Sequence, residues 1–188
     1  MITAQEAKNL GQLSHQNAID KGWWKTTPEG KADFSSRNFH EITFLAITEL
    51  AEAFEVYRDG RPLTEIWAGE KGKPEGFPIE MADFVIRVLE TMTASGVDVE
   101  KSFAEELPDE SEVEAEENLG EALMYISGLV TDASSIGQKS EGSYLCLASS
   151  VVASYKLAEK HNFDLTAAVK TKMEYNTTRP IRHGNKLA

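Results

Sequence analysis

Two pairs of acidic residues are the part of this sequence whose types and spacing could do chemistry. Glu49 and Glu52 are separated from Glu80 and Asp83 by 27 residues. Within each pair the spacing is i, i+3, so both carboxylates project from one face of a helix. If the two helices pack antiparallel, four carboxylates meet, and they stay ionised only when cations neutralise them. Such oxygen ligands suit Mg²⁺ or Mn²⁺, and a magnesium cluster points to phosphate chemistry.

The neighbours of the first pair favour a site over an ordinary charged helix face. Leu45, Glu49, Glu52 and Val56 follow one another at spacings of four, three and four, so they share one helical stripe. Acids inside an apolar stripe are costly to bury unless something pairs with them. The second pair opens the next predicted helix, directly after a loop. Other metal chemistries fit less well, because the sequence lacks Glu-x-x-His, Walker A and Gly-x-Gly-x-x-Gly patterns and its histidines are scattered.

Composition is that of one water-soluble domain. The chain has 188 residues, 41% hydrophobic content and a formal net charge of −12. That charge argues against binding to nucleic acid or to anionic membrane, and no apolar run is long enough for a membrane span. The single cysteine, Cys146, excludes an internal disulfide, and the N-terminus does not resemble a signal peptide. We therefore expect a cytoplasmic protein.

The charge is unevenly distributed along the chain. From residue 170 to 188 there are five basic residues against Glu174 alone, a local charge of +4 within an acidic protein. A basic tail of this kind is either a solvated terminus or a segment that folds over a phosphate held at the acidic site. Both readings remain open from composition alone.

Hydrophobic periodicity predicts an all-α fold of about six helices with an antiparallel four-helix core. No segment has a convincing strand pattern. The stretch from Asp59 to Phe77 is rich in Gly and Pro and is predicted to be a functional or disordered loop, and Glu100 to Glu117 is predicted to be an acidic linker. Asn38 and Asp164 are predicted N-caps. The predicted helices are about Ala4–Asp20, Asn38–Tyr57, Pro78–Ser95, Glu114–Ala133, Tyr144–Lys160 and Asp164–Tyr175.

The helices also suggest an internal repeat. The segment from Glu49 to Phe54 resembles that from Asn118 to Leu123, and Asp98 aligns with Asp164. In this alignment Cys146 stands opposite Glu80 and Ser149 opposite Asp83. The alternative is chance similarity between amphipathic helices. A true duplication predicts that the fourth and fifth helices superpose on the second and third.

These residues resemble the MazG-like, all-α nucleoside triphosphate pyrophosphohydrolases. The family signature is Glu-x-x-Glu followed, after a spacer, by Glu-x-x-Asp. The segments Gly76 to Arg87 and Lys172 to Gly184 are similar to further family segments. The resemblance implies a single domain, 1–188, with a catalytic two-helix unit at 38–98, a degenerate second unit at 114–165 and a basic phosphate-contacting tail at 166–188. Short members of the family form dimers or dimers of dimers, so a homo-oligomer, with a dimer favoured, is expected.

The resemblance also implies a reaction. A nucleoside triphosphate would be hydrolysed to a monophosphate and pyrophosphate, by water that the metal or a glutamate activates, as part of nucleotide-pool housecleaning. Glu49, Glu52, Glu80 and Asp83 are the predicted Mg²⁺ ligands, with Mn²⁺ a possible substitute, and Glu49 is the candidate for activating water. The predicted phosphate contacts are Lys172, Asn176, Arg179 and Arg182. The possible base pocket consists of Trp23, Asn17 and Trp67.

Two other functions remain open at this point. The same scaffold could serve as a non-catalytic helical module that binds a nucleotide or a protein. A metal-dependent hydrolase acting on another phosphate ester is also possible. Retention of all four acids favours the pyrophosphohydrolase, because a scaffold has no need for clustered repulsion.

Overall fold

The computed structural model of the chain describes residues 1–28, 33–105, 118–138 and 140–182. It confirms the predicted all-α class. One short helix, α4, lies where a linker was expected, and the rest of that segment, 106–117, lies outside the described residues. The described α-helices are α1 (Ala4–Asp20), α2 (Phe39–Arg58), α3 (Phe77–Ala94), α4 (Val99–Ala104), α5 (Leu119–Ile136), α6 (Glu141–Lys160) and α7 (Leu165–Thr178).

Helices α2, α3, α5 and α6 form a four-helix core within this one chain. α2 packs on α3, α5 packs on α6, and the two pairs meet through α2 with α5 and α3 with α6. α3 lies at the centre and is also covered by α1 and α7. Gly11 permits the close approach of α1, since a Cβ there would lie 3.0 Å from the Leu89 carbonyl oxygen. All four helices of this core belong to one chain. The expected homodimer stays a prediction.

Local capping sets where the helices begin. The Asn38 side chain accepts hydrogen bonds from the backbone N–H groups of His40 and Glu41, as the sequence predicts. Asp164 caps α7 through the Ala167 N–H, which is also as predicted. Each cap satisfies backbone donors that have no partner inside the helix. None of the described helices combines the length and the apolar character that crossing a bilayer requires.

The segment between α2 and α3 contains a small hairpin, where no strand was predicted. β1 (Trp67–Ala68) pairs antiparallel with β2 (Pro74–Glu75), and Trp67 stands opposite Glu75. Two-residue strands are too short to show a period-2 pattern, so the sequence does not reveal them. Gly76 joins the hairpin to α3 at a φ of 132°. A Cβ at Gly76 would collide with the Glu65 carbonyl oxygen.

The burial pattern relates the two halves of the core in a definite register. The buried residues of α2 are at 39, 42, 43, 46, 49, 50 and 53, and those of α5 are at 119, 122, 123, 126, 129, 130 and 133. Each position in α5 is therefore 80 residues beyond its counterpart in α2. In this register Glu49 corresponds to Leu129. The sequence match paired Glu49 with Asn118, eleven residues earlier, so the burial pattern does not support that match. Asn38 and Asn118, the two N-caps, also differ by 80.

Contacts between the halves are reciprocal. His40 Nδ1 lies 2.7 Å from Ser134 Oγ. A Cβ on Gly120, the counterpart of His40, would lie 3.7 Å from the ring of Phe54, the counterpart of Ser134. α4 packs on α6 while α7 packs on α3, and Gly96 and Asn162 have positive φ two residues before the Asp caps. Reciprocal contacts of this kind are what an internal two-fold arrangement produces.

The backbone at Gly76 gives a stability prediction. Gly76→Ala should lower the free energy of unfolding by about 2–4 kcal/mol, because it combines an unfavourable φ with a backbone collision. Gly60→Ala is the matched control, since Gly60 also has a positive φ (72°) but open space around its Cα. Urea unfolding followed by circular dichroism measures both. Equal losses in the two variants would contradict the collision with Glu65.

Candidate metal centre and adjoining cleft

Three of the four predicted acids converge. Single carboxylate oxygens of Glu49, Glu52 and Glu80 all lie within 4.8 Å of one another. Glu49 and Glu52 lie three residues apart on α2, and Glu80 lies in the first turn of α3. The i, i+3 spacing brings both α2 carboxylates to one face of the helix, as the sequence predicts. Glu49 and Glu80 are each only 5% exposed, whereas Glu52 is exposed. The group is therefore buried on one side and open to solvent on the other.

Glu80 is the least compensated acid of the group. Its Oε2 is buried and has no hydrogen-bond partner among the described residues. The pKa of Glu80 is raised to about 7: burial is the largest cause, Lys172 opposes it, and Asp83 adds to it. A buried carboxyl oxygen without a partner is costly, and a cation or a proton removes that cost.

Glu49 is held by an arginine. Arg87, one turn beyond Asp83 on α3, donates from Nε to Glu49 Oε1 at 2.6 Å. The pKa of Glu49 is nevertheless raised, chiefly by burial. Arg87 lowers this pKa, and the Asp83 and Glu52 carboxylates raise it. Glu49 is thus oriented by a fixed partner and has an increased affinity for a proton.

Asp83 lies outside the group of three in this structure. Its Oδ2 forms an ion pair with Nζ of Lys172, which α7 brings against α3. Lys172 is only 1% exposed, so its ammonium is directed to Asp83 and not to solvent. The pair compensates the buried ammonium of Lys172 and the partly buried carboxylate of Asp83. Lys172, which was predicted from the sequence to contact phosphate, is thus paired with Asp83 in this structure.

The group of three fits a hard divalent cation. The donors are all carboxylate oxygens, which Mg²⁺ and Mn²⁺ prefer, and Glu80 supplies a buried oxygen that lacks a partner. Glu49, Glu52 and Glu80 would hold the ion. The open side at Glu52 leaves room for water and for substrate oxygens, which Mg²⁺ normally keeps in its coordination shell.

A polar cleft lies between α1, α3 and α7. Asp83 and Arg87 line it, and Arg87, which donates to Glu49, connects it to the three converging acids. Four residues predicted from sequence line it as well: Asn17, Trp23, Asn176 and Arg179. Arg37 and Arg87 add positive charge that sequence reasoning did not assign. Three arginines in a protein of net charge −12 make this a site suited to an anion.

Two predicted residues lie apart from this cleft. Trp67 lies in the hairpin, where its Nε1 donates to Glu75 Oε2 at 3.0 Å and Arg61 stacks 4.4 Å above its ring. Arg182 donates from Nε to the Gly22 carbonyl oxygen at 3.0 Å, fastening the chain to the end of α1. Neither residue belongs to the lining of the cleft.

A polar stripe on α3 contains the functional candidates that were missed. Glu80, Asp83, Arg87 and Glu90 follow one another at spacings of three, four and three. The rest of α3 is almost wholly buried and apolar, so the stripe marks the face that turns toward the acids and the cleft. The same helical spacing that relates Glu80 to Asp83 extends to Arg87 and Glu90, so it is a sequence signal for all four residues.

The second half of the core lacks an equivalent acidic group. In the 80-residue register of α2 and α5, Glu49 and Glu52 correspond to Leu129 and Asp132. In the alignment of Asp98 with Asp164, which relates α3 to α6 by 66 residues, Glu80 and Asp83 correspond to Cys146 and Ser149. Burial, together with nearby Asp132, raises the pKa of Cys146. Of these four corresponding positions only 132 carries an acid, and the degenerate second unit stays a prediction.

The raised pKa of Glu80 gives a pH prediction for the metal-free protein. Between pH 4.5 and about 7 the folded state holds a proton that the unfolded state has released, so the free energy of unfolding should fall as pH rises through this window. The expected fall is on the order of 3 kcal/mol. Glu80→Gln should lack it, because glutamine has no proton to lose. Urea unfolding at pH 5, 6, 7 and 8 measures this, with Glu55→Gln on exposed α2 surface as control.

The Lys172–Asp83 ion pair gives a second stability prediction. Lys172→Met should lower the free energy of unfolding by about 2–4 kcal/mol, since it leaves the partly buried Asp83 carboxylate without its cation. Adding Asp83→Asn should recover much of that loss. Lys170→Met, at an exposed position of the same helix, should change little. A double-mutant cycle without coupling would contradict the pairing.

No family model, curated protein or solved structure matched this chain. The functional interpretation therefore depends on the residues of the chain, their geometry and the resemblance described above.

Proposed function

We propose that this protein is a Mg²⁺-dependent nucleoside triphosphate pyrophosphohydrolase, which hydrolyses a (d)NTP to the monophosphate and pyrophosphate. Mn²⁺ is a possible substitute, and nucleotide-pool housecleaning is the expected role. The observation that carries the proposal is the convergence of Glu49, Glu52 and Glu80, with an unpartnered buried oxygen on Glu80, beside an arginine-lined cleft. The resemblance to the MazG-like family supplies the reaction.

Glu49 is the residue best suited to accept a proton from the attacking water. Arg87 fixes its carboxylate through Oε1, and burial raises its pKa toward the range in which a general base works at neutral pH. The other oxygen of Glu49 is the one that can orient the water. Glu52 and Glu80 are assigned to the metal and not to proton transfer.

The cleft residues hold the substrate. Mg²⁺, when bound, offsets the charge of the triphosphate and polarises the phosphorus under attack. Arg179 and Arg37 present guanidinium groups to the same cleft and are assigned to phosphate oxygens. Trp23 offers a ring for stacking on the base.

The proposal predicts metal-dependent pyrophosphate release. Purified protein with Mg²⁺ and a panel of ribo- and deoxyribonucleoside triphosphates should release pyrophosphate from at least one of them, and chelation should abolish this. Glu49→Gln and Glu80→Gln should each lower kcat/KM by at least ~100-fold, because they remove the base or a metal ligand. Glu55→Gln, at an exposed acid whose ion pair among the described residues is with Arg58 of its own helix, should retain activity.

One observation favours the alternative of a non-catalytic helical module. The ion pair with Lys172 neutralises Asp83 without any metal, as a retained scaffold would require. A module of this kind would bind nucleotide without releasing pyrophosphate from any triphosphate. Turnover of phosphate monoesters or diesters in place of triphosphates would instead indicate the third class, a hydrolase of other phosphate esters.

A further inference from the structure

Glu90 is a buried acid that the proposed chemistry does not use. It lies on α3 seven residues beyond Asp83, is 7% exposed and lines the cleft. Ten helical residues separate Glu90 from Glu80, a rise of about 15 Å along α3, so Glu90 lies well away from the three converging acids. A nucleotide with its phosphates at those acids and its base in the cleft would span a distance of this order.

The Glu90 carboxylate is held in a fixed position. Its Oε1 accepts a hydrogen bond from Trp24 Nε1 at 2.5 Å and lies 3.0 Å from His15 Nδ1. The rings of His15 and Trp24 meet edge to face with centroids 5.6 Å apart, and the Arg37 guanidinium lies 5.1 Å from the Trp24 ring centre. A group fixed in this way on a helix is pre-organised for recognition.

Asn176 adds a second acceptor to the same cleft. It is 9% exposed, and its buried Oδ1 has no hydrogen-bond partner among the described residues. Buried acceptors without partners are uncommon in folded proteins, and a ligand that donates hydrogen bonds removes the cost. The cleft therefore favours a ligand whose far edge carries N–H donors.

We propose that Glu90 determines which nucleobase is accepted, by taking a hydrogen bond from an exocyclic amino group. This rests on the proposed function and names its substrate class: nucleotides of cytosine, adenine or guanine. Uracil and thymine carry a carbonyl oxygen where cytosine carries its amino group, and an oxygen facing the carboxylate makes an unpaired, repulsive contact. A site that hydrogen-bonds an exocyclic amino group discriminates against bases that carry a carbonyl oxygen at that position, even though uracil and thymine have an N–H donor at the neighbouring N3.

The test compares bases in the same protein. With Mg²⁺, kcat/KM for dCTP, dATP or dGTP should exceed that for dUTP and dTTP at least tenfold. Glu90→Gln should reduce this ratio at least tenfold, because an amide both donates and accepts. Glu75→Gln is the matched control: Glu75 also accepts from a tryptophan Nε1, that of Trp67, but lies outside the cleft. Its ratio should equal that of the unaltered protein.

A binding measurement separates this inference from the proposed function. Calorimetric titration with dCMP, dAMP, dGMP, dUMP and dTMP needs no catalysis. If no triphosphate is hydrolysed, yet an amino-bearing monophosphate binds with a Glu90-dependent preference, the base assignment stands and the hydrolase assignment falls. Absence of both hydrolysis and base-dependent binding overturns the two together.

Other outcomes overturn the base assignment alone. If the unaltered protein hydrolyses dUTP or dTTP as well as the amino-bearing nucleotides or better, Glu90 does not select the base. The same follows if Glu90→Gln is folded, as judged by its thermal melt, and keeps the original ratio. Should that variant fail to fold, Glu90→Asp, which keeps the charge but withdraws the acceptor by one methylene, must lower the ratio.

Discussion

Buried carboxylates need positive charge close by, and this requirement decides how the helices meet around the candidate site. Glu49 is paired with Arg87 from α3, and Asp83 is paired with Lys172 from α7. Each pairing joins two different helices, so electrostatic compensation and helix packing support one another. Glu80 is the exception, because its buried oxygen has no hydrogen-bond partner in the part of the chain that the structure describes. Its protonation, or a bound metal ion, is therefore linked to the stability of the whole arrangement.

α7 connects the acids to the cleft. Lys172 faces Asp83, while Asn176, one turn later, and Arg179 line the cleft. α1 and α3 supply the remaining walls, and Gly11 lets these two helices approach closely. A substrate that extends from the acids into the cleft would contact three helices that already pack on one another. The cleft is walled mainly by these helices, with Trp23 and Arg37 added from the segment between α1 and α2.

The local features of this fold were predictable from sequence and the long-range features were not. Helix bounds and the caps at Asn38 and Asp164 depend on neighbouring residues, and the prediction of the two acid pairs depended only on helical spacing. The partner of Lys172 depends on where α7 docks, which no local pattern encodes. The hairpin was missed because its strands have two residues each. The match of Glu49 with Asn118 disagrees with the burial pattern because short apolar matches recur at several helical offsets, whereas the buried positions of α2 and α5 select one register. The match of Asp98 with Asp164 agrees with the caps of α4 and α7.

The two halves of the core carry different residues at matching positions. A bundle built from two separate identical chains must present the same side chains at both ends, so every substitution is made twice. Here Leu129 and Cys146 occupy places that correspond to Glu49 and Glu80, and neither substitution alters the acids in the first half. One end is thus free to vary in sequence, and to specialise in packing, while the other keeps its charged residues.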